Sequence, residues 1–257
     1  MAHTEAARLL SVWEEALPRT DADRARILHR AARPQAGPGE LPRVPVGERE
    51  ADLYALRRAL FGDRMQVLLE CAPCGEAMEF DLDAGELAAR PPRSREPLRV
   101  AADGWEIDFR LPAVADLEAA AAGAAAGAGA EGDPAGAARE LLVASCVVTA
   151  RRDGAEVPAE RLPRMLPAAV AERIAAAAEE ADPSAEISLD IACPECGERT
   201  TAELDIASYL WTELDAWARD VLLDVHLLAT VYGWTEPDIL ALSPARRRYY
   251  LELCADV

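Results

Sequence analysis

The sequence predicts an α+β fold, mainly helical, with a small β module made of two Cys-x-x-Cys hairpins. Three observations predict it. Apolar residues recur at three- and four-residue spacing over much of the chain, most persistently from Ile206 to Tyr232. Stretches of strict alternation, such as Met78, Phe80 and Leu82 set among Glu79 and Asp81, carry the period of a half-buried strand. The five letters "CAPCG" at 71–75 return almost unchanged as "CPECG" at 193–197, each between two short alternating stretches.

At 257 residues the chain is long enough for one large domain or two small ones and for a proper core. Its net charge of −19 repels phosphate backbones, which excludes nucleic acid as a default partner and suits a partner with a basic face. Met1-Ala-His-Thr-Glu-Ala-Ala-Arg opens the chain without an apolar run behind it, and no membrane span is legible. The expectation is a cytoplasmic protein in a reducing compartment, where paired cysteines serve as metal ligands more often than as disulfides.

In chain order, residues 5–17 form a first helix with Leu9, Leu10, Trp13 and Leu17 along one side. Pro18 breaks it, and Thr20-Asp21 recaps a second helix through Ile27 and Leu28. The Pro- and Gly-rich "RPQAGPGELPRVP" is a loop. A third helix over 48–61 offers Leu53, Leu56, Leu60 and Phe61, and Gly62 closes it. After the first Cys turn, "LRVAADGWEIDFRL" is a hairpin turning at Asp103-Gly104. From Ala119 to Ala138 the chain is nearly all Ala and Gly, weak helix interrupted by a mobile loop through Gly132-Asp133-Pro134.

"ARELLVASCVV" reads as a buried helix, "RDG" at 152–154 as a turn, and 164–181 as another helix ending before Asp182-Pro183. Strands Ile187/Leu189/Ile191 and Ala202/Leu204/Ile206 flank the second Cys turn. The longest helix then carries Ile206, Leu210, Leu214, Trp217, Val221, Val225, Leu228 and Tyr232 on one stripe. Two short helices finish the chain, the first with Thr235 and Asp238 as a capping box, the second with Ser243 before Pro244. The expected organisation is an N-terminal helical segment over 1–62, the Cys-bearing module with a long Ala/Gly-rich insertion over 63–206, and C-terminal helices over 207–257 packing on the rest.

A Cys-x-x-Cys turn followed by Gly aims two sulfurs at one spot, and the Gly lets the backbone fold back with positive φ. Two thiolates hold zinc poorly; a structural site takes four in a tetrahedron. Two matching hairpin tips supply that set, so Cys71, Cys74, Cys193 and Cys196 are expected to share one structural zinc ion per chain in a zinc-ribbon-like centre. Cys74 and Cys193 lie 119 positions apart, against roughly 15 to 20 residues between the pairs of a compact ribbon. Zinc would therefore pin the ends of a long excursion. Two other readings of the same letters stay open: half-sites completed by a partner chain, and a redox dithiol. Cys146 and Cys254 lack ligand spacing.

No catalytic motif is legible: there is no His-Glu-x-x-His, Gly-x-Ser-x-Gly or phosphate-binding loop, and a closed four-Cys site leaves no position for a water nucleophile. His3, His29 and His226 stand apart in the sequence, and His226 beside Asp224 reads as a packed or capped residue before it reads as a base. The expectation is no enzyme and no small-molecule substrate. Arg246-Arg247-Arg248 with Tyr249-Tyr250 reads either as a solvated helix face or as a docking patch, since Arg and Tyr favour interface centres. Coupled to a zinc ribbon, it also admits a nucleic-acid adaptor, against which the net charge weighs.

The tract "LDIASYLWTELDAWARDVLLDVHLLATVYGWTEPDILALSPARRRYYLEL" resembles the end of the phage baseplate hub-assembly chaperone family, also encoded beside phage-derived contractile injection systems. Tyr232-Gly233-Trp234-Thr235-Glu236, Ile239-Leu240, Leu242-Ser243, Arg246-Arg247 and Tyr250-Leu251 carry the likeness. "LLSVWEEAL", "LPRVPVGEREADLYALRRALFG" and "CAPCGEAMEFDL" are similar to the same group. The resemblance implies a non-catalytic protein that helps build, or forms part of, the baseplate of a contractile tail, bound to baseplate or tail proteins. Trp234, Arg246, Arg247 and Tyr250 are the residues expected to serve docking or packing there.

Overall fold

A computed structural model describes residues 5–37, 39–87, 97–127 and 133–255. The elements are α1 (Glu5–Ala16), α2 (Asp21–Ala32), α3 (Val46–Phe61), β1 (Arg64–Glu70), β2 (Ala77–Asp83), α4 (Ala84–Leu87), β3 (Leu98–Ala102), β4 (Trp105–Phe109), α5 (Val114–Gly127) and α6 (Pro134–Cys146). They continue with β5 (Val147–Arg152), β6 (Ala155–Glu156), α7 (Leu162–Met165), α8 (Ala168–Ala181), β7 (Ser188–Ala192), β8 (Arg199–Glu203), α9 (Ile206–Tyr232), α10 (Glu236–Leu240) and α11 (Pro244–Ala255). The fold is mixed α and β, with helix outweighing three small sheets. Two compact units are formed, one by residues 1–34 with 205–257, the other by residues 35–204. Among the described residues no helix is long and apolar enough to cross a membrane.

The first unit is all helix. Thr20 caps α2 as its sequence promises, its hydroxyl accepting from the Asp23 backbone N–H at 3.4 Å. α1 buries Leu10, Trp13 and Ala16, and the Trp13 indole donates to Asp215 on α9 at 2.8 Å. Leu17 falls beyond the end of α1 and stands 40% exposed. α9 starts at Ile206, which is helix and not strand, because Asp205 caps it by accepting from Ala207 and Ser208 N–H at 2.9 and 3.1 Å. Its buried stripe runs through Leu210, Leu214, Val221 and Leu228, and Gly233 ends it at φ +67°. The capping box expected at α10 does not form, since Thr235 gives its hydroxyl to the Asp238 side chain and caps no backbone N–H. Ser243 does cap α11, accepting from Arg246 N–H at 3.3 Å.

In the second unit an antiparallel sheet runs in the order β3-β4-β5-β6. β3 and β4 turn at Asp103 and Gly104, φ +53° and +79°, the paired positive angles of a tight hairpin. β4 sends Trp105, Ile107 and Phe109 into a core with Val143, Ala150, Leu162, Val170 and Ile174. The helix expected through Val148 stops at Cys146; Val147–Arg152 is β5, paired with β4. A short apolar run carries no period of its own, and here the unpaired backbone of β4 decides it. The helix expected over 164–181 is likewise divided at Pro167, where α8 begins.

The Ala/Gly tract is a packing device. α5 buries Ala120 and Ala124, and a Cβ on Gly123 would meet Leu141 of α6 at 2.9 Å. Small side chains let these two helices approach closely. Of the loop expected at 132–134, Gly132 lies outside the described residues, while Asp133 caps α6 by accepting from Ala135 N–H at 3.1 Å.

α3 buries Leu53 as expected and leaves Leu56, Leu60 and Phe61 half-buried, but its buried face is wider than expected and adds Val46, Gly47, Glu50, Ala51, Tyr54 and Arg57. Arg57, 2% exposed, donates to the carbonyls of Gly62 and Arg64, both at 2.7 Å, and so fixes the turn into β1. The start of α3 has no cap of its own. Asp182, 5% exposed at the end of α8, supplies one by accepting from Gly47 N–H at 3.1 Å. A buried carboxylate is tolerable at a helix N-terminus because N–H donors and the helix dipole both compensate its charge.

Candidate metal centre

Both Cys turns sit at hairpin tips, one between β1 and β2, where Glu70 pairs Ala77, the other between β7 and β8, where Ala192 pairs Arg199. Their backbones repeat bond for bond. Cys71 N–H donates to the Glu76 carbonyl at 2.8 Å and Gly75 N–H to the Cys71 carbonyl at 2.7 Å. The counterparts run from Cys193 to Glu198 at 2.8 Å and from Gly197 to Cys193 at 2.9 Å. Gly75 and Gly197 both take φ +75°, a left-handed angle that closes the turn and strains any residue with a Cβ.

The two tips meet. Cys71 Sγ lies 3.6 Å from Cys196 Sγ and Cys74 Sγ 3.6 Å from Cys193 Sγ, and all four sulfurs fall within 4.8 Å of one another. A tetrahedron with sulfur at 2.3 Å from its centre has edges of about 3.8 Å, whereas a disulfide needs about 2.05 Å. Two of the sulfur–sulfur distances are close to such an edge, so the four thiols could hold one ion, and all four are unbridged. Cys71 and Cys193 are buried, Cys74 and Cys196 exposed, so each hairpin contributes one inner and one outer sulfur. Met78, Leu69 and Ile191 pack with the inner two. Among the described residues no other cluster of His, Cys, Asp and Glu has this character.

The electrostatics of the set favour a cation. The backbone N–H of Cys196, assisted by that of Glu195, donates to Cys193 Sγ and lowers its pKa to about 7. At Cys74 the Glu76 N–H also favours thiolate, but the neighbouring thiols Cys71, Cys196 and Cys193 outweigh it and push the pKa up to about 12. Cys196, despite N–H donation from Glu198, is likewise raised. One thiolate is easy here and a second is costly, because like charges crowd one spot. A divalent ion at the centre reverses that repulsion. These backbone donors escape sequence reasoning, since an N–H has no letter; the repeated "CG" of each turn is the only trace.

The residues marked for docking separate into two environments. Trp234 stacks on Tyr232 at 4.7 Å and meets Tyr250 edge-on at 4.9 Å, an aromatic cluster joining the end of α9 to α11. Arg246 is exposed. Arg247 is 7% exposed and forms an ion pair with Asp224 at 2.9 Å. Burial raises the pKa of Asp224, with Arg247 opposing the rise. A raised carboxyl stabilises the fold below its unfolded pKa and loses that contribution as pH climbs through the folded one. Removing Arg247 raises it further, so Arg247→Met is expected to cost about 1 kcal/mol at pH 7, the pair being partly screened by solvent, and little at pH 3. Urea midpoints at the two pH values check this: the gap to wild type should widen with pH.

His226 is exposed on α9, His29 is 2% exposed in α2, and Cys146 and Cys254 stand outside the four-sulfur group.

Residues 32–210 match the family model described as T4 bacteriophage base plate protein. No curated protein and no solved structure matches the chain. The matched stretch covers more than half of the sequence, encloses both Cys turns, and nearly coincides with the second unit; the whole Tyr232–Leu251 signature lies beyond it. The paired hairpins thus sit inside the part of the molecule that carries the likeness, and the chain belongs to the T4 bacteriophage base plate protein family.

Proposed function

We propose that the chain is a non-catalytic, chaperone-like assembly factor for the baseplate of a phage-like contractile tail or injection system. It acts in the cytoplasm by protein–protein binding, and Cys71, Cys74, Cys193 and Cys196 hold one structural zinc ion. Family membership over residues 32–210 carries this reading. The edge lengths of the sulfur set and the N–H donors around it fit Zn²⁺, which takes thiolates in a closed tetrahedron. With four protein ligands, such an ion has no open position for substrate, and its work is to hold two hairpins together. The hub-assembly role rests on the C-terminal signature from Tyr232 to Leu251.

The family description names a base plate protein, which equally favours a permanent subunit. The two readings part at the finished particle. Deleting the gene should abolish particles with complete baseplates, and a tagged chain should be absent from purified wild-type particles. Recovery of the chain in those particles at fixed stoichiometry would make it a subunit; normal particles without it would end the assembly reading.

A further inference from the structure

The sulfur set has an inside and an outside. Cys71 and Cys193 are buried, at 0% and 2% exposure, whereas Cys74 and Cys196 face solvent. Both 3.6 Å contacts join an inner sulfur to an outer one, and both cross from one hairpin to the other: Cys71 with Cys196, Cys74 with Cys193. Neither contact lies within a single Cys-x-x-Cys turn. A disulfide bond is about 2.05 Å long, so each crossed pair closes when its sulfurs move together by about 1.5 Å. The elements that must give are two-stranded hairpins, a form with little rigidity of its own. The packing at the centre is light, with Leu69, Met78 and Ile191 beside the inner sulfurs. Cys146, buried, and Cys254 stand outside the set, so neither competes as a partner thiol.

We propose that the four-cysteine centre is a redox-responsive clamp: a hydroperoxide converts its thiols into two disulfides that cross the hairpins, Cys71–Cys196 and Cys74–Cys193. Attack begins at an outer sulfur, which solvent reaches. The Cys74 thiol takes one oxygen from hydrogen peroxide, giving its sulfenic acid and one water. The Cys193 thiol then attacks that sulfur; the S–S bond forms, the S–O bond breaks, and a second water leaves with the thiol proton. Each disulfide thus removes two electrons from a thiol pair and reduces one peroxide to two waters. Cys196 and Cys71 repeat the cycle with a second peroxide. From the metal-loaded state the sulfurs enter as thiolates, hydroxide leaves in place of each water, and the ion is released as its ligands are consumed. Disulfides inside each turn would leave the two hairpins unjoined. Crossed disulfides span 125 and 119 positions and keep the tips together after the ion has gone. Links that close so long a loop restrict the unfolded chain strongly. The proposal rests on the structural-zinc reading above for the loaded protein and extends it to the state in which metal is lost.

The test treats the full purified chain with hydrogen peroxide and reads zinc released to a chromogenic chelator, the masses of peptides cut after arginine, and the melting temperature. No arginine lies between Cys71 and Cys74 or between Cys193 and Cys196, so each turn stays within one peptide. Zinc should be released, and the two Cys-bearing peptides should appear as one species of their summed mass less four hydrogens, which a reductant separates. Fragmentation of that species should pair Cys71 with Cys196 and Cys74 with Cys193. The oxidised chain should lose less than half of the melting temperature that Cys193→Ser loses. Two separate peptides, each lighter by two hydrogens, place the disulfides inside the turns and overturn the proposal. So do the opposite pairing, sulfinic acids in place of disulfides, disulfides between two chains, or a linked species that melts as low as Cys193→Ser. A purified chain without zinc whose hairpins still become linked contradicts the zinc reading alone; a chain that holds zinc and keeps it under peroxide contradicts the clamp alone.

Discussion

Cys193→Ser is expected to abolish binding of the proposed zinc ion and lower the melting temperature of the second unit by about 10–20 °C. The apparent free energy of a structural zinc site, on the order of 10 kcal/mol, is folding energy, and one missing thiolate opens the tetrahedron. At about 2–4 °C per kcal/mol for a body of this size, losing half of that energy already gives the stated shift. The hairpins β1-β2 and β7-β8 are two-stranded sheets, a form marginal by itself in water. The apolar group packed with the inner sulfurs is small: Leu69, Met78 and Ile191. The proposed ion would then link the two hairpins across the 119 positions separating Cys74 from Cys193 and help offset the closure entropy of that excursion. Cys254→Ser, outside the sulfur set, should keep the metal and melt as wild type does. Differential scanning calorimetry of the three proteins reads both outcomes.

Gly47→Ala is expected to destabilise by about 3 kcal/mol, although alanine is the better helix former by roughly 1 kcal/mol. The added Cβ would stand 2.1 Å from Asp182 Oδ1 and 2.5 Å from its Cγ. Both residues are buried, so the carboxylate must leave its place and lose its charge-assisted bond to the Gly47 N–H. The sign is the diagnostic: propensity predicts a gain, packing a loss. Gly39→Ala, with nothing within 4 Å of its new methyl, should stay within about 0.5 kcal/mol of wild type. Gly47→Ala combined with Asp182→Ala should be no worse than Asp182→Ala alone, because the clash disappears with the carboxylate. Denaturant unfolding of the four variants measures it.

What the sequence disclosed and what it hid divide along physical lines. Convergence of the sulfurs was legible because the same turn was written twice and a closed site requires four ligands. The hairpin at Asp103-Gly104 was legible because few residues besides Asn, Asp and Gly take paired positive φ angles. The buried stripe of α9 followed from spacing alone, but spacing did not reveal that Leu223, Leu227 and Val231 form a second, uncovered stripe on the same helix. α3 misled because its inner face includes Glu50 and Arg57, charges held inside by partners that a linear reading does not show. β5 was hidden by an apolar run that suits helix and strand alike and is decided by pairing with β4. Asp182 as a cap for α3 lies 135 positions from the helix it serves. Local chemistry was readable; tertiary partners were not.

One claim supports most of this account: four thiolates from two hairpins enclose a single ion. Metal analysis of the purified full chain, combined with X-ray absorption at the zinc edge, tests it directly. The account predicts one zinc per chain with four sulfur neighbours at about 2.3 Å. Zero or two ions per chain, or a first shell of mixed oxygen and sulfur, contradicts it.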